Sequence, residues 1–198
     1  MAVKVVIFDL GGVIIRLGDH IFPPEWFTDQ SAFSLKEWLQ SDVSKAFETG
    51  AISAFEFGRA LKIDLALEQS VEEILSEFAA WPEALFKGST ELLTSLSDKY
   101  TLAALSNINE LHAPRMLDEF HLHEYFDQLF FSHELGLAKP DPNIYLKALD
   151  LLEVAPQDVV FFDDLERNVG AAIEQGINSH QVFGPDAVLD CLKLYECE

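Results

Sequence analysis

Covalent staples, membrane-spanning runs and basic charge are all scarce in this chain, and each scarcity excludes something. Only two cysteines occur in 198 residues, Cys191 and Cys197, both near the C-terminal end. A bridge between them would close a short loop and leave the core unconstrained, so the fold does not depend on disulfides and suits a reducing compartment. No apolar run approaches the roughly 18 to 20 uncharged residues that a membrane-crossing helix requires. The N-terminal MAVKVVIFDL is too short and ends in an acid, which does not fit a signal peptide. No membrane partner and a cytoplasmic location are the expectations. Lysine and arginine total 13 against 34 aspartates and glutamates, a formal charge of -21. A field of that sign repels polyanions and no basic stripe interrupts it, so nucleic acid is not expected as a partner. A small anionic ligand would have to be met locally, by a metal and one or two placed cations. The acidity itself reads as a device for solubility or for tolerance of salt. Nothing in the composition fixes an oligomeric state.

What the chain does have is apolar substance: 49% of its residues are hydrophobic, enough for one core with a small accessory element. Val3 to Leu10 is a nearly continuous β-branched run ending in Phe8-Asp9-Leu10 and then Gly11-Gly12, the pattern of a buried parallel strand stopped by a tight turn. Thr101 to Leu105, Gln128 to Phe131 and Val159 to Phe162 share that character, and lead into Ser106-Asn107, Ser132 and Asp163-Asp164. Helical patterns alternate with them: Thr90 to Leu96 after a Ser89 cap, a short one near Leu111 to Leu117, Ile144 to Leu152 entered through Pro142-Asn143, and Asn168 to Gln175 closed by Gly176. The expected fold class is α/β, a Rossmann-like parallel sheet with helices on both faces. Ligands bind such sheets beyond the carboxyl ends of the strands, where Asp9, Ser106 and Asp163-Asp164 would converge.

The alternation breaks between Leu17 and Phe86. Helix-like segments cover Leu35 to Phe47, Ser53 to Leu61 and Val71 to Phe78, with no strand-like run between them. The expected organisation is a core of residues 1–16 and 87–198 with an all-helical insertion, 17–86, after the first strand. Trp26, Trp38, Trp81, Phe22, Phe27, Phe33, Phe47, Phe55 and Phe57 all lie in or beside that insertion. Aromatics at helical spacing mostly build core, although one of them could stack on a ligand ring. His112, His121, His123 and His133 match no zinc spacing, and in an extended segment His121 and His123 would point to opposite sides.

Taken singly, an Asp before a Gly pair is turn chemistry, Ser-Asn after a strand is a cap, and a lysine in a loop is solvated. Order and spacing carry more. FDLGGVI, LAALSN, GLAKPDPNIY and VVFFDDLERNVGAA succeed one another as the four motifs of the haloacid dehalogenase superfamily do. The chain resembles that family over nearly its whole length, weakening in the insertion and the last few residues. The resemblance implies a hydrolase with Mg2+ as cofactor and a small-molecule phosphate ester as substrate, and it makes the insertion a cap. It implies that Asp9 is the nucleophile, attacking phosphorus so that hydrolysis is split into two easier displacements. Ser106, Asn107 and Gly12 would hold the substrate, and Lys139 would balance the charge of both nucleophile and transferring group. The implied metal ligands are the Asp9 carboxylate, the Gly11 carbonyl and Asp164, with Asp163 and Asn168 orienting them; hard oxygen donors of this kind suit magnesium.

The chain departs from the pattern at one position. Most phosphatases of the superfamily carry a second Asp two residues after the nucleophile, which protonates the leaving alcohol; here that residue is Gly11. General acid-base help is typically worth about a hundred- to ten-thousand-fold in rate. The leaving group is then a good one, or another side chain gives the proton, with Asp19, His20 and His112 as candidates, or catalysis is lost. FDLG, SN…LH and FFDD together resemble a bacterial subgroup that includes sugar-phosphate phosphatases acting on glucose 1-phosphate, an anomeric ester that leaves more readily than an alkyl one. The haloacid dehalogenases also lack the second Asp, but tend not to keep the paired acids that stand here as Asp163-Asp164. A non-catalytic binding member is the remaining reading, against which Asp9, Lys139 and Asp164 all stand.

Overall fold

Val5–Phe8 forms β1, and no residue in it is more than 5% exposed, because the strand is paired on both sides and covered on both faces. In the computed structural model, which describes residues 3–27 and 38–195, β1 lies at the centre of a five-stranded parallel sheet. Its neighbours are β4 (Thr101–Ser106) and β6 (Val159–Asp163), and β5 (Gln128–Phe131) and β7 (Asn178–Gln181) form the edges. The register sets Phe8 beside Ala104 and Phe162, so the residues that follow each of the three central strands emerge at one edge.

Alternation along the strands divides the interior in two. Val6 and Phe8 join Leu92, Leu93, Leu96, Phe126, Phe162, Val188 and Leu192 on one face. Val5 and Ile7 join Ala103, Leu105, Phe161, Ile144, Tyr145, Ala148 and Ala172 on the other. The first layer is covered by α4 (Ser89–Ser97) and α8 (Gly184–Leu192), the second by α6 (Pro142–Leu152) and α7 (Glu166–Glu174). The expected α/β class is the one observed. The Ser89 cap is not: Gly88 occupies the cap position with a left-handed φ of 91°, and Ser89 Oγ donates instead to the Ile14 carbonyl.

Between residues 17 and 82 the described chain forms helices α1 (Asp42–Glu48), α2 (Ala54–Asp64) and α3 (Val71–Ala80). Ser53 and Ser70 start α2 and α3 with full capping boxes, each closed by the glutamate three residues on. These helices surround an interior of their own, built from Phe22, Trp38, Phe47, Phe57, Leu61, Ile74 and Phe78. A two-stranded antiparallel ribbon, β2 (Ile15–Leu17) with β3 (Pro82–Leu85), joins this layer to the sheet; the strand-free reading of the insertion missed it, since β3 begins with a proline and is only four residues long. Phe33 and the start of the helix expected from Leu35 lie outside the described residues. No helix of the described residues is long and apolar enough to cross a membrane.

Candidate active site

Asp9 follows β1 directly, and its Oδ1 accepts from the Leu10 amide at 2.7 Å and from Ser106 Oγ at 2.7 Å, with Lys139 Nζ 3.0 Å away. These three contacts all fall on one oxygen, so the carboxylate is fixed in orientation while Oδ2 keeps no protein donor among the described residues. Lys139 is 1% exposed at its side chain and bridges to Asp163 Oδ2 at 2.6 Å. Asp163 is saturated: its oxygens also take the Leu165 amide and Asn168 Nδ2 at 2.9 to 3.1 Å. Asp163 therefore holds Lys139 and the start of α7 in place, whereas the next residue, Asp164, is half-buried and faces the cavity.

Burial raises the Asp9 carboxyl above the usual carboxylate range, against the pull of the Lys139 ammonium, and Asp163 adds to the rise. Asp164 is pushed up to about 6 by burial, with Asp9 and Asp163 repelling its charge. Burial also works against the Lys139 ammonium, but Asp9 and Asp163 outweigh it and hold the group above the ordinary lysine value. The cluster is thus short of positive charge. Oxygens of Asp9, Asp163 and Asp164 lie within 4.8 Å of one another, and the buried Oδ1 of Asn168 has no hydrogen-bond partner among the described residues. A hard divalent cation fits that donor set and would relieve its repulsion.

Gly12 explains how the two loops come so close. Its φ is +75°, and a Cβ there would sit 2.6 Å from Asp164 Oδ2, so only glycine lets the strand-β1 loop pass behind the second acid. The cavity above the cluster measures about 520 Å³, the size of a small-molecule site. Its floor is Asp9, Gly11, Ser106, Asn107, Lys139 and Asp164; Leu39, Gln40, Glu48 and Trp81 line it from the insertion, and Arg167 from α7.

Residues 3–176 match the family of haloacid dehalogenase-like hydrolases. The chain belongs to that family. It is 26% identical, over 90% of its length and 91% of the relative's, to a D-ribitol-5-phosphate phosphatase of Bacteroides thetaiotaomicron. It is 28% identical, over 87% of its length and 81% of the relative's, to a phosphoglycolate phosphatase of Aquifex aeolicus. Among solved structures, a family enzyme from Bacteroides thetaiotaomicron in complex with magnesium and inorganic phosphate superposes with a TM-score of 0.78 at 26% identity, covering 91% of this chain and 94% of that one.

Within this hydrolase, Asp9, Ser106, Lys139, Asp163, Asp164 and Asn168 form one connected cluster, while two of the expected substrate contacts are otherwise engaged. The Gly12 amide donates to the Ile15 carbonyl and the residue lies behind the cavity wall. The Asn107 side chain clamps the loop carrying Lys139, accepting from its amide at 2.8 Å and donating to its carbonyl at 3.0 Å. The three expected proton donors also fall away. Asp19 and His20 are exposed and outside the cavity lining. His112 does line it, but its Nε2 bonds the Phe78 carbonyl at 2.7 Å and its Nδ1 the Asn109 amide nitrogen at 3.2 Å. Asn109 Oδ1 is already taken by two backbone amides, which fixes the side-chain nitrogen as the donor and His112 as the Nε2–H tautomer. Burial accordingly pulls its pKa down to about 4.

His121 and His123 do not diverge as an extended segment would make them. His121 takes a left-handed φ of 51° ahead of a single 3₁₀ turn, Leu122–Glu124, and the two rings meet edge to face at 6.0 Å. The residues that sequence reading passed over are Glu48 and Arg167. Neither belongs to an apolar period or a recognisable pair, and only the fold brings them to the cavity.

Proposed function

We propose that this chain is a magnesium-dependent phosphatase of a small sugar or sugar-alcohol phosphate, acting in the cytoplasm through an aspartyl-phosphate on Asp9, with residues 17–86 as its cap. The observation that carries the reading is the Asp9 carboxylate, pinned through Oδ1 by Leu10, Ser106 and Lys139 and left open at Oδ2, beside an acidic pair of which only Asp163 is internally satisfied. A dehalogenase would have no task for Asp164. The names of the two phosphatase relatives support a phosphate ester, and the ribitol phosphate of one supports a polyol skeleton.

Each side chain then has a part. Asp9, Asp164 and the Gly11 carbonyl would hold the magnesium, which when bound supplies charge neutralisation that lets one anion approach another. Lys139 balances Asp9 and the transferring group, and Asp163 and Asn107 prevent it from moving. Ser106, released from Asp9, donates to a phosphoryl oxygen. Arg167, exposed at the mouth, gives the incoming phosphate a local cation in an otherwise repulsive field. The cap closes the cavity to bulk water while the phosphoenzyme exists.

The test is phosphate release by the purified protein from alditol phosphates, glucose 1-phosphate, phosphoglycolate and p-nitrophenyl phosphate, with magnesium and with chelator. Metal-dependent release from sugar-type esters is expected. Release of halide from haloacids with no release of phosphate would replace this reading.

A further inference from the structure

Gly11 leaves the nucleophile loop with no acid, and the insertion supplies a carboxyl at the same cavity. We infer that Glu48, at the end of α1, is the catalytic acid and base of this enzyme, standing in from the cap for the side chain that Gly11 lacks. The inference rests on the phosphatase reading above.

Among the described residues, Glu48 is the carboxylate that the insertion contributes to the cavity lining. Its Oε2 accepts from Asn107 Nδ2 at 3.3 Å, and Asn107 is itself locked to both backbone atoms of Lys139. The carboxyl is thereby tied through Oε2 to the loops that hold the phosphoryl site, and Asn107 does not engage Oε1. The end of α1 is also fixed to the core. Ser132 Oγ, at the start of α5 (Ser132–Leu135), lies 2.6 Å from the Glu48 carbonyl, and it accepts the Ile108 amide at 2.9 Å. Two residues on, Gly50 has φ +69°, and a Cβ there would fall 2.5 Å from the His133 carbonyl; a glycine is required for α1 to sit this close. Glu48 and Asp9 line the same cavity from different parts of the chain, the insertion and the end of β1, so a substrate held there by its phosphoryl group has the Glu48 carboxyl within the same enclosure as its leaving oxygen. Burial raises the Glu48 carboxyl above its ordinary value, with Arg167 and Lys139 pulling it back and Asp9 adding to the rise. The direction of that shift favours the proton-carrying form, as a general acid needs.

The chemistry balances over two steps. Asp9 bonds to phosphorus as the bond to the leaving oxygen breaks, and that oxygen takes the Glu48 proton, giving the free alcohol, phosphoaspartate and a Glu48 carboxylate. The carboxylate then takes a proton from water as the water oxygen bonds to phosphorus and the Asp9–phosphorus bond breaks. Inorganic phosphate, the Asp9 carboxylate and protonated Glu48 result.

The experiment compares wild type, Glu48→Gln, Gly11→Asp and Glu48→Gln/Gly11→Asp on an alkyl phosphate such as ribitol 5-phosphate and on p-nitrophenyl phosphate, whose leaving group needs no proton. Glu48→Gln is expected to lower kcat/KM, which reports phosphoryl transfer to Asp9 and not the later attack of water, by about a hundredfold or more on the alkyl ester and by less than about tenfold on the aryl ester; all four proteins are compared by kcat/KM. The double variant is expected to recover alkyl turnover, because a Cβ on Gly11 meets nothing nearer than the Leu17 side chain at 3.4 Å. An equal loss on both esters, or no loss, overturns the assignment. So does a gain of about a hundredfold in Gly11→Asp alone, which would mean that the wild type has no acid. Absence of release by the wild type from every ester overturns the phosphatase reading itself and this assignment with it.

Discussion

The floor of the cavity and the interior of the insertion are both buried, yet they are built on opposite principles. Around Asp9 the chain buries two carboxylates and an ammonium, leaves Asn168 Oδ1 without a partner among the described residues and raises the pKa of two acids. The insertion buries rings: Phe47 stacks on Phe57 at 4.2 Å, and Phe57 packs on Phe78 at 4.8 Å and on Trp38 at 5.5 Å. Apolar burial stabilises the fold, whereas buried like charges cost stability and are kept for chemistry. The comparison teaches that substitutions in the two places should separate stability from turnover.

Asp9→Asn gives the largest expected effect, a loss of kcat of at least about ten-thousandfold with the fold retained, read by phosphate release and circular dichroism. Phe57→Ala should do the converse. Its unfolding free energy falls by about 3–5 kcal/mol in urea titrations, while kcat per folded molecule changes little. Equal losses of stability in both variants would erase the distinction.

His112 joins the two regions, since a residue of the β4 loop donates to the carbonyl of Phe78 in the insertion. Its pKa is lowered to about 4 in the folded protein, so the unfolded chain binds the proton more readily. The stability that neutral His112 contributes is complete above its unfolded value, roughly pH 6.5, and is lost as pH falls from there toward 4. Wild type should lose on the order of 2–3 kcal/mol more over that window than His112→Asn, which cannot titrate. Parallel stability curves for the two proteins would detach His112 from the joint.

Asp164→Asn sharpens the contrast from the other side. A carboxyl raised to about 6 when folded stabilises below the unfolded carboxylate range and costs stability as pH rises through 6. Removing its charge should stabilise the metal-free protein at pH 7 by about 1–2 kcal/mol, a figure discounted for its partial exposure. On the proposed reading magnesium should raise the melting temperature of the wild type, and the same change should abolish that rise. A variant that is both less stable without metal and still protected by it would contradict the ligand assignment.

The contrast also explains what could be read in advance. β1, β4 and β6 were legible because central strands buried on both faces are largely apolar, and β5 because its Leu-Phe-Phe run is apolar although the strand lies at an edge; Asp9, Ser106, Lys139 and Asp163-Asp164 were legible as abrupt polar residues in recognisable motifs. β7 is an edge strand with the polar sequence Asn-Ser-His-Gln and only partial burial, so no hydrophobic period announced it. Glu48 had no such signature either: its place in the cavity lining is set by Ser132 and by the close approach of Gly50 to His133, contacts that join residues far apart in the chain. The turn at His121 was hidden for a different reason, because a left-handed residue reverses the direction in which neighbours point without altering composition.

The central place of β1 bears on how the enzyme is made. Val5 pairs with Thr101 on one side and with Val159 on the other, the latter about 150 residues later in the chain. At about 5–20 residues per second of synthesis, the strand waits on the order of ten seconds for its second partner. During that time Val-Val-Ile-Phe keeps at least one uncharged edge without its partner, of the type open to strand addition. The strand that leads into Asp9 is thus also a segment of the nascent chain open to misassociation, and yield should improve at growth temperatures that weaken hydrophobic association.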